Sequence, residues 1–283
     1  MSRRPANDYQ PHSENDHATD YGQPFGWWGS RWTPRDEHSL LWLIERGALD
    51  VPTAAFLSLA VESRASLLVV AEPHEAGKTT LLTALLDFLP DDSEPIFLRG
   101  WYERFSFLEK VPPERAYLLC NEISAHLPTY LWGQGARRVF DAAAAGYPLA
   151  TTMHARSAAD ALDQLVAYPL DVPVEQASLL DLVVTIGVGY AGNRLLRRVA
   201  TIERIVQESG GPRIVELARR EPLRGEIAYQ TGRYVAILAE LGDRSDLDAS
   251  ALLARRVRQL EEWIARGLAS ARSIRAEILE ARR

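Results

Sequence analysis

Only two of the 32 basic side chains in this 283-residue sequence are lysines; the other thirty are arginines. One of the two lysines lies in the run Glu72-Pro73-His74-Glu75-Ala76-Gly77-Lys78-Thr79-Thr80. A lysine kept in an arginine-rich chain points to a need for its compact ammonium. Upstream, the short unbroken apolar run Ser66 to Ala71 reads as a strand buried on both faces. Downstream, Leu81 to Leu89 reads as a helix with an apolar face, stopped by Pro90. Strand, tight loop, Gly-Lys-Thr and helix follow one another as in a phosphate-binding P-loop. There the loop turns its N–H groups inward and the helix N-terminus adds positive potential, so a polyphosphate can sit in it. Lys78 would reach the β- and γ-phosphates, the Thr79 hydroxyl would bind Mg²⁺, and Gly77 would let the backbone approach closely. The full pattern has its first glycine at 72, where this chain carries Glu72, and Glu75 stands where many such loops have glycine. An ordinary turn is the alternative reading.

Two more residues could do chemistry with this loop. Glu122 follows the apolar run Tyr117 to Cys120, and His154 follows Leu149 to Met153. In open α/β sheets the C-terminal edge of the strands faces the ligand. A carboxylate at that edge can polarise water or hold Mg²⁺ through water. A histidine there titrates near neutral pH. Each alone also reads as a surface acid or a structural histidine. Three such residues at the ends of separate predicted strands make a candidate site.

The elements that must position them alternate. Strands are predicted at Ser66–Ala71, Ile96–Leu98, Tyr117–Cys120, Leu149–Met153 and Leu182–Ile186, with Arg197–Ile205 as an antiparallel neighbour of the last. Helices are predicted across residues 34–65, 81–89, 134–145 and 158–167, the last capped by Ser157. This argues an α/β domain with a mostly parallel central sheet. Residues 1–24 are polar and almost free of aliphatics, which reads as a disordered tail. Residues 25–65 form a helical lead-in, 66–210 the nucleotide-binding core, and 211–283 a helical, arginine-rich region. Trp27, Trp28 and Trp32 read either as a docking patch or as a cap on the core edge. Near the C-terminus, apolar or small residues at 253, 257, 260, 264, 267, 271, 274 and 278 are spaced as in a coiled-coil seam. Gly267 and Ala271 make poor knobs, which favours a helix packed on its own domain.

Composition excludes several classes. Hydrophobic residues are 47% and charged residues 25%, both ordinary globular values. Cys120 is the single cysteine, so no intrachain disulfide forms and a reducing compartment fits. No apolar run reaches the ~18 residues of a membrane span, and the residues after Met1 do not read as a secretory signal. The net charge of −6 argues against a dedicated nucleic-acid partner, whose affinity would come from cationic contacts to phosphates.

Taken together, residues 38–206 resemble the type II/IV secretion and type IV pilus ATPases. Ile44-Glu45-Arg46-Gly47-Ala48-Leu49, followed by Ala54-Ala55-Phe56-Leu57, is similar to the family's lead-in. The loop keeps Gly77-Lys78-Thr79-Thr80-Leu81-Leu82. Glu114 to Ile123 resembles the Walker B stretch, with Glu122 at the catalytic acid. Ala150 to Leu162 resembles the histidine box, with His154 at its histidine, and this is the most specific match. The resemblance implies a RecA-like fold, ATP and Mg²⁺ as cofactors, and a homo-oligomeric, hexameric ring. It also implies a cytoplasmic site at the inner face of the membrane and an inner-membrane platform protein as partner. Several positions depart from the family. Glu72 and Glu75 replace loop glycines, Ser124 stands where arginine is usual, and Tyr147 replaces a histidine after Gly146. The acidic box has only Glu103 as a candidate. These departures motivate a rival, a non-catalytic paralogue acting as a structural or regulatory subunit of the same machinery. A nucleic-acid motor of the wider RecA-like class is the third reading.

Overall fold

A computed structural model describes residues 38–124, 130–268 and 270–281. The polar tail, the three tryptophans between residues 25 and 32 and the helix start expected at Pro34 lie outside the described residues. Helix α1 (Leu40–Glu45) opens on Ser39, whose hydroxyl accepts the Trp42 N–H at 3.1 Å. Helix α2 (Val51–Glu62) opens on Asp50, whose carboxylate accepts the Thr53 N–H at 3.0 Å. Both are short-range N-caps that satisfy donors the helix itself leaves orphaned. Every residue of α2 from Thr53 to Val61 is buried, so this helix has no solvent face and runs through the core.

Strand β1 (Leu67–Val70) follows, then α3 (Lys78–Leu86), β2 (Glu94–Phe97), β3 (Ala116–Leu119), α4 (Gln134–Ala144), β4 (Leu149–Met153), α5 (Ala158–Val166) and the single turn α6 (Val174–Ala177). Strands β5 (Leu182–Ala191), β6 (Arg194–Glu208), β7 (Gly211–Arg220) and β8 (Ile227–Tyr229) come next, then helices α7 (Thr231–Leu241), α8 (Asp246–Ala265) and α9 (Ala271–Ala281). Among the described residues these eight strands form one sheet, in the order β2-β3-β4-β1-β5-β6-β7-β8.

Successive β1 residues serve opposite faces, as a strand's two-residue period requires. Leu67 and Val69 join the core shared with α1, α2, α3, α7, α8 and α9, while Leu68 and Val70 join the core under α4, α5 and α6. The start of β1 is pinned from two sides: the Ser66 N–H donates to Asp181 at 2.7 Å, and the buried Tyr117 hydroxyl donates to the Ala65 carbonyl at 2.7 Å. The strand that feeds the loop is therefore fixed in register.

Two expectations are corrected here. The sheet is mixed rather than mostly parallel: β2, β3, β4, β1 and β5 pair in parallel, but β6, β7 and β8 add antiparallel pairs. The β5–β6 antiparallel pairing agrees with the sequence. The second correction concerns residues from about 212, expected to be helical, where the chain instead makes β7 and β8. The β6–β7 connection is a two-residue turn, with Glu208 paired to Gly211 across Ser209-Gly210, and Gly211 takes φ +110°. That turn returns the chain as a hairpin before any helix can start.

The heptad-like spacing near the C-terminus spans two helices, not one. Gly267 at φ +70° ends α8, and Leu253, Leu260 and Trp263 of α8 with Ile274 and Ile278 of α9 are buried in the same core as α2. These helices pack on their own domain. Among the described residues, no helix is long and apolar enough to cross a membrane.

Candidate functional site

The loop between β1 and α3 leaves the sheet at Ala71, which is buried, and runs through Glu72, Pro73, His74 and Glu75, which are all exposed. It then dives back through buried Ala76 into Gly77, Lys78, Thr79 and Thr80. Two residues take left-handed backbone: Glu75 at φ +58° and Gly77 at φ +96°. Glycine adopts this conformation freely; a glutamate there is strained by about 1 kcal/mol. Glu72, by contrast, is not in the left-handed region, so replacing glycine there leaves no backbone strain. The two departures seen in the sequence are thus physically different.

Lys78 is the first residue of α3, and only 7% of it is exposed. Its ammonium lies 3.3 Å from His154 Nε2. His154 Nδ1 lies 3.2 Å from the Glu72 carbonyl. The tautomer with hydrogen on Nδ1 satisfies both: Nδ1–H donates to the Glu72 carbonyl, and Nε2 accepts from Lys78. Glu122 Oε2 sits 3.6 Å from the same Nε2. So the parallel strands β1, β3 and β4 deliver Lys78, Glu122 and His154 to one point at their C-terminal edge, the edge the sequence pointed to.

The electrostatics of this cluster follow from burial. Desolvation pushes the Glu122 carboxyl up to about 7, and the nearby Lys78 cation partly opposes this. Lys78 is held below its ordinary value, again by desolvation first, with Glu122 pulling the other way. Glu122 is thereby poised to exchange a proton near neutral pH. Its second oxygen, Oε1, is buried without a hydrogen-bond partner among the described residues, and so is the amide nitrogen of Asn121 beside it. Buried polar groups are normally paired, so two orphans side by side at a strand end mark a place for a polar ligand.

Supporting contacts hold the histidine. Gln164 of α5 donates to the His154 carbonyl at 3.0 Å, and the His74 ring tilts against the His154 ring with centroids 4.2 Å apart. The Thr152 hydroxyl donates to the Asn121 carbonyl at 2.9 Å, tying β4 to the end of β3. Asn121 and Gln164 went unnoticed in the sequence; the strand-end position of Asn121, next to Glu122, was the available signal.

Other sequence candidates have structural employment. Glu103 accepts the N–H groups of Arg99 at 2.8 Å and Phe105 at 2.6 Å, so its carboxylate holds its own loop together. Tyr147 donates its hydroxyl to the Val111 carbonyl at 2.8 Å and packs edge-on against Phe107. The Ser124 N–H donates to the Leu131 carbonyl at 3.0 Å.

A cavity of about 460 Å³ opens beside the loop. Its walls include Glu75 and Gly77 of the loop, Thr80 of α3, Trp42 of α1 and Arg46 just past its end, and Arg194 and Arg197 of the β5–β6 hairpin. The Arg46 guanidinium lies over the Trp42 ring, 4.1 Å from its centroid. Sequence reading did not place this cavity, because it depends on how the hairpin folds back over α1.

No family model matches the sequence. The chain is similar to an uncharacterised protein of Methanocaldococcus jannaschii, 27% identical over 254 residues, which take in 81% of this chain. They take in 46% of that protein, so the chain spans about half the length of the curated relative it matches. Among solved structures it is similar to the VirB11 ATPase of the Brucella suis type IV secretion system in complex with sulphate. That match has a TM-score of 0.36 and 21% identity, and covers 83% of this chain and 67% of the other. It is also similar to the ATPase DotB of Legionella pneumophila, with a TM-score of 0.36 and 12% identity, covering 78% of this chain and 63% of the other.

Proposed function

We propose that this chain binds a nucleoside triphosphate with Mg²⁺ and hydrolyses it as a motor subunit of a type II/IV secretion or type IV pilus assembly system. In this reading it works in the cytoplasm as a homo-oligomeric, hexameric ring against an inner-membrane platform protein. One observation carries the proposal: Lys78, Glu122 and His154 meet at the C-terminal edge of three parallel strands, over a loop bent by left-handed residues into α3. The residues present fit the ligand. The orphaned Glu122 Oε1 and Asn121 Nδ2 offer one acceptor and one donor, Lys78 offers a buried cation, and Thr79 offers a hydroxyl at the helix start.

Each side chain then has a task. Lys78 neutralises phosphate charge, which requires it to leave His154. Thr79 and, through water, Glu122 would hold Mg²⁺, which supplies charge neutralisation across the β- and γ-phosphates. Glu122 accepts a hydrogen bond from the attacking water and, with a carboxyl poised near 7, takes up its proton. His154, released by Lys78, keeps its Nδ1–H on the Glu72 carbonyl and turns Nε2 to the ligand.

Calorimetric titration with Mg-ATP tests the reading, with Lys78→Ala as control. Binding by the native chain and none by the variant is expected. Equal binding by both would overturn the site, and no binding by the native chain at millimolar ATP would overturn the reading. A second reading, a non-catalytic structural or regulatory subunit of the same machinery, draws on Glu103, whose carboxylate is committed to its own loop. Binding without turnover, in the presence of partners, would select it.

A further inference from the structure

Glu75 places a carboxylate on a loop built to receive phosphate, and by itself it should repel the ligand. We propose that Arg197 is the residue that makes Glu75 tolerable. Its guanidinium offsets the carboxylate across the cavity and positions the phosphate–ribose end of the nucleotide, where the ligand leaves the loop. This rests on the nucleotide-binding reading given above and goes beyond it, because it assigns a positioning role to a residue on a hairpin far from the loop in sequence.

Four observations lead here. The Arg197 side chain runs past the loop itself: its Cδ lies 3.9 Å from where a Cβ on Gly77 would stand. Glu75 and Arg197 line the same cavity. Arg197 makes no side-chain hydrogen bond or ion pair with a described residue, so its donors are not committed to one. The cavity carries more guanidinium than carboxylate, with Arg46, Arg194 and Arg198 beside Arg197 and Glu75 the single acid among its described lining residues. A concave, partly apolar wall with one excess sign of charge concentrates an oppositely charged ligand.

The position fixes which part of the ligand Arg197 serves. Lys78 points under the loop, toward Glu122 and His154. Arg197 stands on the opposite side, beside Gly77, Thr80 and Leu81. A polyphosphate threaded through the loop therefore meets Lys78 at its terminal end and Arg197 at its nucleoside end. Arginine suits the second place, because its planar fork can bind a phosphate with two donors while its face lies against an aromatic ring. Arg197 should thus strengthen binding of di- and triphosphate alike, while Lys78 is felt most at the terminal phosphate.

A double-mutant cycle in the full chain tests this, reading affinity for Mg-ATP and Mg-ADP by calorimetry. Arg197→Gln is expected to weaken both ligands by about tenfold, as loss of a charge-assisted pair does. Arg197→Lys should recover part of the loss. In a Glu75→Gly background the same Arg197→Gln change should cost only about threefold, because the contact to the phosphate remains while the carboxylate it offsets is gone. Thermal unfolding of all variants should match the parent apart from the effect of Glu75→Gly itself, which separates positioning from folding. Equal losses in the two backgrounds, or no loss on Arg197→Gln while Lys78→Ala still abolishes binding, would overturn the proposal and leave the nucleotide site standing. Absence of Mg-ATP binding by the native chain would overturn both.

Discussion

Two sets of arginines in this molecule are employed differently. On the side of the C-terminal helices four have an acid. Arg275 of α9 pairs with Asp87 at 2.6 Å, Arg204 of β6 forks onto Glu240 of α7 at 2.5 Å, Arg256 of α8 pairs with Glu62, and Arg266 pairs with Glu277. Around the cavity beside the loop, Arg46, Arg194 and Arg197 have no carboxylate partner among the described residues. The first set fastens the C-terminal helices to one another, to α2, to the end of α3 and to the sheet; the second leaves donors facing a concavity. A charged side chain with a structural task is matched by its own fold, so unmatched cations around a cavity mark where a ligand supplies the counter-charge.

The largest test of this contrast is at Glu122. Glu122→Gln keeps shape and hydrogen bonding but cannot take up a proton. Turnover of ATP should fall about 100-fold or more with binding retained, read from initial rates and calorimetry. The same variant should alter stability against pH. Below about pH 4.5 the carboxyl is protonated in folded and unfolded chains alike, and burial costs it little. Between 4.5 and 7 the unfolded chain releases its proton first, so Glu122 progressively lowers stability as pH rises, and above about 7 the loss is complete. Glu122→Gln should therefore be more stable than the parent above pH 7, by about 3 kcal/mol at most, and equal to it near pH 4. Denaturant midpoints that stay parallel across this range would refute the buried carboxylate.

Next in size is Arg275→Ala, on the paired side. Asp87 is 4% exposed in its side chain, and losing its cation leaves a buried carboxylate uncompensated. A cost of about 2 kcal/mol is expected, below that of a fully buried pair because Arg275 itself is 41% exposed. Burial already pushes the Asp87 carboxyl up against the pull of Arg275, so in the variant Asp87 should titrate higher still. Urea unfolding of Arg275→Ala beside Arg197→Gln puts the contrast in one measurement: the first should shift the midpoint, the second should not.

How much of this was legible in the sequence depends on what kind of signal each part left. Strands β1, β3 and β4 are buried on both faces, so each shows as a short run free of charged residues. Glu122 and His154 stand out as the acid and the histidine just past two of these runs, and Lys78 by its place in Gly77-Lys78-Thr79 after the third. Strands β7 and β8 left a weaker trace. Leu217, Ala218 and Arg220 of β7 are buried while its other residues are not, and arginines at both ends blur the alternation into something like an amphipathic helix. Ser209-Gly210-Gly211-Pro212 was the overlooked turn. The cavity left no local trace, since Arg197 reaches Gly77 only through the length and twist of the β5–β6 hairpin.

A smaller effect is expected at Glu75. Its left-handed backbone costs about 1 kcal/mol that glycine would not incur, so Glu75→Gly should raise stability by up to that amount, less the entropy glycine returns to the unfolded chain. Glu72→Gly has no such strain to relieve and should gain nothing. Thermal midpoints of the two variants, measured side by side, separate a backbone effect from a charge effect, because both remove one carboxylate from the same loop.

The smallest expected effect is the sharpest check on the unpaired set. Arg194→Gln removes a charge from the cavity wall without breaking any ion pair among the described residues, and its side chain stands on exposed backbone near the hairpin turn. Its stability change should stay within about 0.5 kcal/mol, the range of ordinary surface substitutions. The remaining guanidiniums repel one another less once it is gone, so the sign of that small change should be toward greater stability at low ionic strength, fading as salt screens the cavity. A clear loss of stability instead would mean that Arg194 already has a structural partner, and the cavity would lose one of the cations that set it apart from the C-terminal helices.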